Sequence, residues 1–167
     1  EREDGGTPPF LQTIRTALCV KLKEDMGITN ILNREHELVA LIFEKLNHRN
    51  DIHILANKHQ NRLGVVSFYI DNLHFNLAVK LLNDRFGIQV RGGCSCAGTY
   101  GHYLLEVNQT VSQILTDQIS RGDLTGKPGW IRMSIHPTMT NQEVGALCDA
   151  LIELSENHPI WSKDYRY

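Results

Sequence analysis

The stretch Val65-Val66-Ser67-Phe68-Tyr69-Ile70 decides the fold of this chain, because nearly all of its residues are β-branched or aromatic. Such residues favour a strand. Apolar side chains then recur at helical spacing before Gly87, at Leu73, Leu77, Leu81 and Leu82. A glycine just past the last apolar position is a common helix end. The sequence therefore predicts a strand over residues 65–70 and a helix directly after it.

Three further short apolar segments lie on either side of this strand and also predict strands, at residues 52–55, 88–91 and 130–135. The strands do not alternate strictly with helices, which argues against a regular series of strand-helix-strand units. We therefore expect an α+β fold in the form of a small two-layer sandwich. Its mainly antiparallel sheet of about four strands should carry helices on one face.

Two helices are predicted before the first strand. Thr7 as N-cap and Pro8 in the first turn would begin the first helix, which Gly27 would end. The second helix would be capped near Asn33 and continue through an apolar stripe. Cys19 falls on the stripe of the first helix, so we expect it to be a small buried side chain.

Two more helices are predicted in the second half of the chain. The first runs from Tyr103 to Ser120, where apolar positions return to helical spacing. The last begins at Thr140, which with Glu143 forms the pattern of a capping box. Its apolar stripe includes Cys148, so this thiol is also expected to be buried.

Length and composition limit the classes of protein that this chain can represent. It has 167 residues, 41% of them hydrophobic, and a formal net charge of −2. One core fits this length, so a single domain over residues 1–167 is expected. Neither the basic excess typical of nucleic-acid binding nor an apolar run long enough to cross a bilayer is present. The lack of a signal peptide and of a cysteine framework favours the cytoplasm. Because the sequence begins with Glu1 rather than methionine, we expect a fragment or a processed form.

The segment Arg91-Gly92-Gly93-Cys94-Ser95-Cys96-Ala97-Gly98 places two thiols and a guanidinium on a glycine-rich loop after a predicted strand. Glycines free the loop backbone, and the cation of Arg91 favours a thiolate over a thiol. Cys94 and Cys96 are therefore candidate nucleophiles. Zinc ligation with His102 is a competing interpretation, but the sequence has only one close pair of cysteines. Bridge geometry disfavours a disulfide between two cysteines so near in an extended chain.

Several motifs occur in one order along the chain: Gly6-Thr7-Pro8, Arg62 to Phe68 followed by His74, Gly87-Ile88-Gln89-Val90-Arg91-x-Gly93-x-x-Cys96, and Trp130-Ile131-Arg132-Met133-Ser134 with Asn141 and Glu143. Together they resemble the C-terminal part of the cysteine desulfurase and selenocysteine lyase group of the class V aminotransferase family. The resemblance runs from about Gly5 to Leu154. It implies a pyridoxal-phosphate enzyme of fold type I.

The resemblance also implies roles for individual side chains. Cys96 corresponds to the cysteine that takes sulfur or selenium from the substrate, and Cys94 is an added thiol that shares, resolves or only accompanies this chemistry. Arg132 corresponds to the arginine that grips the α-carboxylate of a small amino-acid substrate, which suits its planar set of donors. Arg91 would polarise the thiol or hold the edge of the carboxylate. The plainer alternatives are a surface ion pair for Arg132 and a strand-end cation for Arg91.

The cofactor is expected to be bound mainly outside this chain. Gly6 and Thr7 match the turn that reaches the pyridoxal phosphate of the neighbouring subunit in the family's homodimer, although Thr7 also fits plain helix capping. The family's Schiff-base lysine lies in a larger domain, and none of the seven lysines here has its sequence setting. We therefore expect the small C-terminal domain of a larger enzyme, inactive alone, with a sulfur-acceptor protein as a partner.

Two departures from the common pattern leave the reaction open. Cys94 is one, and the other is the extra segment from Tyr103 to Pro128 between the cysteine loop and the arginine strand. The parent enzyme would use cysteine, use selenocysteine, or run another elimination or transamination. A stand-alone thiol module that relays sulfur without a cofactor is a further alternative.

Overall fold

A four-stranded antiparallel sheet forms the centre of the computed structural model, which describes residues 5–94 and 98–165. The sheet has the order β1-β2-β4-β3 and every neighbouring pair is antiparallel. Its strands are β1 (Ile52–Ile54), β2 (Val65–Ile70), β3 (Arg91–Gly93) and β4 (Trp130–Ser134). The expected α+β class and the number of strands are thus confirmed.

Six α-helices surround or extend from this sheet in the described part of the chain. They are α1 (Phe10–Met26), α2 (Ile28–Leu46), α3 (Phe75–Phe86), α4 (Gly98–Leu104), α5 (Gln109–Ser120) and α6 (Asn141–Trp161), and a 3₁₀ turn follows at Ser162–Asp164. Over the described residues, no helix has both the length and the apolar character needed to span a membrane.

The core lies between one face of the sheet and helices α2, α3 and α6. Because strand side chains alternate, Val66 and Phe68 of β2 point to this inner face, and Ile131 and Met133 of β4 do the same. All four are buried. The outer face carries the remaining positions of each strand. This division gives the two-layer sandwich expected from the sequence.

The expected start of α1 at Thr7 is wrong. The helix begins at Phe10, with Pro9 at the N-cap position and no side-chain cap. Proline disfavours the helical conformation of the residue before it. Since Pro8 and Pro9 follow Thr7 in succession, neither Thr7 nor Pro8 adopts the helical conformation, and the helix starts only after both prolines.

The expected cap of α2 near Asn33 is also wrong, because the helix already begins at Ile28. Gly27 separates α1 from α2 and has a φ of 81°, a conformation that glycine adopts without strain. Its backbone N–H donates to the carbonyls of Lys23 and Glu24 and thereby ends α1. Gly27 alone therefore connects the two helices, where the predicted cap near Asn33 implied a loop of several residues.

Strand β3 lies further along the chain than the predicted segment 88–91. Its ladder with β4 pairs Arg91 with Arg132 and Gly93 with Trp130. Ile88 and Val90 instead pack, partly buried, against the core. The apolar character of Ile88 and Val90 favoured a strand before Arg91. These side chains pack against the core, and the ladder with β4 begins only at Arg91.

The single helix expected from Tyr103 to Ser120 is two helices, α4 and α5. Between them Glu106 has a φ of 54°, which interrupts the helical backbone. The Asn108 side chain then accepts a hydrogen bond from the N–H of Val111 and caps α5. The helical spacing of apolar residues thus continues from α4 into α5, although the backbone at Glu106 and the cap at Asn108 separate the two helices.

The two helical cysteines differ in burial. Cys148 on α6 is fully buried, as expected, and belongs to the core. Cys19 on α1 is exposed, so the expectation that it is buried is wrong. No residue of α1 is buried, because no other described element covers its apolar side.

Candidate functional site

Two arginines lie side by side on the outer face of the sheet. The ladder between β3 and β4 places Arg91 directly opposite Arg132, and the ladder between β2 and β4 places Ser67 opposite Arg132 on its other side. Directly opposed residues in an antiparallel pair have Cβ atoms about 5 Å apart. The sheet therefore brings together the two arginines that the sequence singled out separately.

Arg132 is half-buried, and its Nε atom is buried. Among the described residues, no acceptor forms a hydrogen bond with this Nε. Neither Arg132 nor the exposed Arg91 forms a salt bridge within the described part of the chain. Like charges in directly opposed positions are destabilising. The pair therefore suits an anion that both guanidinium groups contact.

The cysteine loop begins where β3 ends. Gly92 pairs with Ile131 at the inner face, and a Cβ on Gly92 would lie 2.8 Å from the Phe75 ring and 2.9 Å from Val79. Only glycine therefore lets α3 approach this strand so closely. Gly93 has a φ of 110°, which again favours glycine. The two glycines fix where the chain leaves the sheet and where the loop starts.

Cys94 is half-buried, and its thiol donates a hydrogen bond to the carbonyl oxygen of Pro128 at 3.1 Å. Burial raises the pKa of this thiol, and the nearby charge of Lys127 only partly opposes the rise. The surroundings of Cys94 therefore disfavour its thiolate form, and the thiolate expected on this loop was assigned to Cys96. Cys96, the other predicted nucleophile, lies outside the described residues.

Helix α4 packs closely over this cysteine. A Cβ on Gly101 would lie 3.1 Å from the Trp130 ring and 3.4 Å from the Sγ of Cys94. His102, the next residue, has its Nδ1 atom 2.9 Å from the hydroxyl oxygen of Ser112 on α5. The extra segment between the loop and β4 therefore folds back over Cys94.

A cavity of about 510 Å³ lies between this segment and the cysteine loop. Its lining combines strand, loop and helix residues: Arg91, Gly92, Gly93, Cys94, Gly98, His102, Thr116, Ile119, Lys127 and Pro128. Sequence reasoning missed Lys127 and Ser112, because they belong to a segment without a recognised motif. The one available signal was that this segment is an addition to the family pattern.

The remaining predicted positions lie elsewhere. Gly6 and Thr7 form an exposed turn before α1, and the hydrogen bonds of the described residues do not involve the Thr7 hydroxyl. His74 caps α3 by accepting from the N–H of Asn76. Within residues 5–94 and 98–165, no group of three or more His, Cys, Asp or Glu side chains could hold a metal ion.

Comparison with known proteins identifies the family to which the chain belongs. The model of the family described as aminotransferase class-V matches residues 1–147. The cysteine desulfurase of Haloferax volcanii is 31% identical over 93 residues, which cover 56% of this chain and 22% of that protein. A probable cysteine desulfurase of Halobacterium salinarum is 28% identical over 150 residues, covering 90% of this chain and 31% of that protein.

Solved structures show the same similarity. The apo structure of a cysteine desulfurase from Thermococcus onnurineus NA1 superposes with a TM-score of 0.65 at 26% identity, covering 93% of this chain and 34% of that chain. The Escherichia coli cysteine desulfurase CsdA superposes with a TM-score of 0.61 at 22% identity, which shows the fold alone, and covers 92% of this chain and 32% of that chain. This chain thus spans about a third or less of the length of these relatives. Because the family model matches most of the chain, the protein belongs to the class-V aminotransferase family and has a cysteine desulfurase-like domain.

Proposed function

We propose that this chain is the part of a pyridoxal-phosphate-dependent cysteine desulfurase that grips the substrate carboxylate and accepts the substrate sulfur. The observation that carries the proposal is the opposed pair Arg91 and Arg132 at the start of the cysteine loop. A cysteine substrate offers an anion and a sulfur atom within one small molecule. The two arginines on the outer face of the sheet would bind the carboxylate, and the cysteine loop beside them would accept the sulfur.

Arg132 is the better candidate for the carboxylate. Its buried Nε has no acceptor among the described residues, so a bound carboxylate would supply one. A guanidinium also presents two parallel donors to two carboxylate oxygens. Arg91 lies opposite it and would add a second cation, and the bound negative charge would offset the repulsion between them.

Cys96 is the proposed sulfur acceptor, and Cys94 has a supporting role. The Cys94 thiol donates to the carbonyl of Pro128 at the start of the loop, and burial raises its pKa, whereas a nucleophile must ionise. In the transfer, the Cys96 thiolate attacks the substrate sulfur, a sulfur–sulfur bond forms and the carbon–sulfur bond breaks. The released electron pair stays on the substrate carbon, and Cys96 becomes a persulfide.

The chain also offers a turn that suits the phosphate of the cofactor. Gly6 and Thr7 are exposed, and the Thr7 hydroxyl is not used to cap α1. When bound, pyridoxal phosphate supplies the electron sink that weakens the carbon–sulfur bond of the amino acid. Gly6 and Thr7 would contact its phosphate from the neighbouring subunit of a homodimer. We also propose that the enzyme works in the reducing cytoplasm, where a thiol carrier persists.

The lysine domain is proposed to lie in a longer parent protein. The relatives extend well beyond the matched part, and α1 exposes an apolar stripe that includes Ile14 and Leu18. We propose that this stripe packs against the domain that carries the Schiff-base lysine. The isolated chain should then form no specific adduct with pyridoxal phosphate on borohydride reduction, whereas a stoichiometric adduct at one lysine would contradict the proposal.

The decisive experiment uses the full-length protein and a single turnover with cysteine or selenocysteine. Alanine should form in the amount of active sites, and mass spectrometry should find the persulfide on Cys96. The variant Cys96→Ser should stop transfer, and the matched variant Cys94→Ser should retain it. Persulfide on Cys94, with the opposite behaviour of the two variants, would assign the carrier role to the other thiol.

The carboxylate site has its own test. Arg132→Lys keeps the charge but loses the paired donors, so it should raise KM for cysteine by roughly tenfold or more, as expected for a lost hydrogen bond to a charged group. Arg121→Lys makes the same change at an exposed residue at the end of α5 and serves as the matched control. Unchanged kinetics in the Arg132 variant would remove this residue from the site.

A further inference from the structure

The cavity beside Cys94 has the size of a small-molecule site. Its volume of about 510 Å³ falls within the range of 300 to 1,000 Å³, roughly, that ligand pockets occupy. Helices α4 and α5 and the segment around Lys127 and Pro128 form its walls. A compound of a few heavy atoms fits such a space, whereas a folded protein partner does not enter it.

The described lining is basic. Arg91 and Lys127 contribute cations, and none of the described lining residues is acidic. In the part of the chain that the structure describes, neither cation forms a salt bridge. Lys127 is half-buried, which strengthens its field inside the cavity relative to an exposed lysine. The cavity thus favours an anion.

The cavity also adjoins Cys94 and Gly98, the two described residues that flank Cys96 in the sequence. Cys94 lines it and is fixed by its hydrogen bond to Pro128, and Cys96 follows two residues later. The charge of Lys127 acts on the Cys94 thiol, so this cation lies within electrostatic reach of Cys94. A ligand held by Lys127 would therefore lie near Cys94, and two residues of extended chain reach at most roughly 7 Å further to Cys96.

We propose that this cavity binds a small anion with a nucleophilic sulfur atom, which takes the sulfane sulfur from Cys96. This inference rests on the proposed function and names its acceptor. The acceptor sulfur attacks the outer sulfur of the Cys96 persulfide and forms a new sulfur–sulfur bond. The bond within the persulfide breaks and its electron pair returns to Cys96 as a thiolate, so the transfer needs no separate oxidant or reductant. A carboxylated thiol would become a persulfide, and sulfite would become thiosulfate.

The test separates loading from transfer in the full-length holoenzyme. One turnover with cysteine loads the persulfide, and mass spectrometry measures it before any acceptor is added. The loaded enzyme is then mixed with 3-mercaptopropionate, 2-mercaptoethanol or cysteamine, which are anionic, neutral and cationic thiols. Rate constants are compared per thiolate, and sulfite is scored separately by thiosulfate formation. We expect the anionic thiol to react fastest and the cationic thiol slowest.

Charge variants show whether Lys127 causes the preference. Lys127→Gln should lower the ratio of anionic to neutral transfer rates about tenfold, the loss typical of one hydrogen bond to a charged group. Lys127→Arg should restore the ratio, which guards against a folding defect. Lys163→Gln removes the same charge from an exposed residue outside the cavity and should change neither rate. Calorimetric titration with sulfate, which cannot accept sulfur, should show weaker binding in Lys127→Gln.

The failures of the two proposals are distinguishable. If no persulfide appears on Cys96, the proposed function fails, and the sulfate titration still decides whether the cavity binds anions. Equal transfer rates for the three thiols would overturn the acceptor proposal, as would efficient transfer only to a protein. The same holds if Lys127→Gln slows persulfide loading as much as transfer, because the cavity would then belong to the substrate.

Discussion

Helices α1 and α6 carry similar apolar stripes, each with a cysteine, yet only α6 is part of the core. Leu151 and Leu154 of α6 are 2% and 0% exposed, whereas Leu18 and Leu22 of α1 are 60% and 61% exposed. The difference lies in their surroundings, since α6 packs against α2 and α3. An apolar stripe thus specifies which side of a helix is favoured to be buried. Whether that side is covered depends on the rest of the molecule.

The largest expected effect is a difference in stability between matched leucine variants. Leu151→Ala should lower the free energy of unfolding by about 2–5 kcal/mol because it opens a cavity in a closed core. Leu18→Ala should change it by less than about 0.5 kcal/mol because the side chain is exposed. Urea unfolding of the 167-residue chain measures both.

Repeating the measurement in the full-length protein sharpens the comparison. If the proposed lysine domain covers α1, Leu18→Ala becomes destabilising there. Equal losses for the two variants in the isolated chain would show that α1 is already covered by contacts within this chain.

The second effect concerns the two helical thiols at alkaline pH. Burial raises the pKa of Cys148 from 9.0 to about 11. Because the folded pKa is the higher one, its stabilising contribution is complete below pH 9 and is lost as pH rises through 11. A shift of two units corresponds to a loss of about 2 kcal/mol by pH 11. Cys148→Ala should remove this part of the alkaline slope.

Cys19→Ala is the matched control, since Cys19 is exposed on α1. It should change the free energy of unfolding of the isolated chain by less than about 0.5 kcal/mol, because the side chain is exposed. Alkylation provides a second readout, because iodoacetamide should modify Cys19 well before Cys148. Similar alkylation rates for the two thiols would show that α6 readily moves away from the core and exposes Cys148.

The third effect concerns the starts of the two helices. In α6 the Thr140 hydroxyl accepts from the N–H of Glu143 at 3.1 Å, and the Glu143 carboxylate accepts from the N–H of Thr140 at 2.7 Å. Thr140→Ala should therefore cost about 1 kcal/mol of stability. Thr7→Ala should cost almost nothing, because Thr7 does not cap α1. A comparable loss at Thr7, measured by urea unfolding, would contradict the helix start at Phe10.

The smallest effect is a change in acid stability. Hydrogen bonds from the Thr140 backbone and side chain lower the pKa of Glu143 below its usual value of 4.5. The folded pKa is the lower one, so this contribution is present above about pH 4.5 and is lost as pH falls through the folded pKa. Glu143→Gln should flatten the acid limb of stability against pH. If the variant and the unmodified chain lose stability equally as pH falls, the capping box of Thr140 and Glu143 contributes nothing to the acid dependence of stability.

Much of the fold was predictable because its signals are local. The strand at 65–70 and the capping box at Thr140 depend on residues within one element, and both are confirmed. Two of the errors, the start of α2 and the single helix over residues 103–120, occurred where a short break interrupted an apolar repeat. Gly27 was predicted to end α1, but hydrophobic spacing did not show that α2 begins directly after it. Glu106 turns the chain with a positive φ that the spacing did not show either.

The candidate site divides in the same way. Arg91, Arg132 and the cysteines were identifiable individually from motif order. Their juxtaposition was not, because the glycines of β3 have no side-chain pattern from which to read the strand register. Lys127 lies in an irregular segment, so its approach to Cys94 was also hidden from the sequence.

The sequence by itself determined the α+β class, the order of most elements and the identity of the arginines and thiols, because periodicity, capping and motif spacing are properties of neighbouring residues. Tertiary structure alone decided which stripe is buried, which arginines are opposed, and that the half-buried Cys94 thiol donates to Pro128. These features depend on burial and on register between distant segments. Burial also raises the pKa of the Cys94 thiol, because loss of solvent disfavours a thiolate more strongly than the nearby Lys127 favours it.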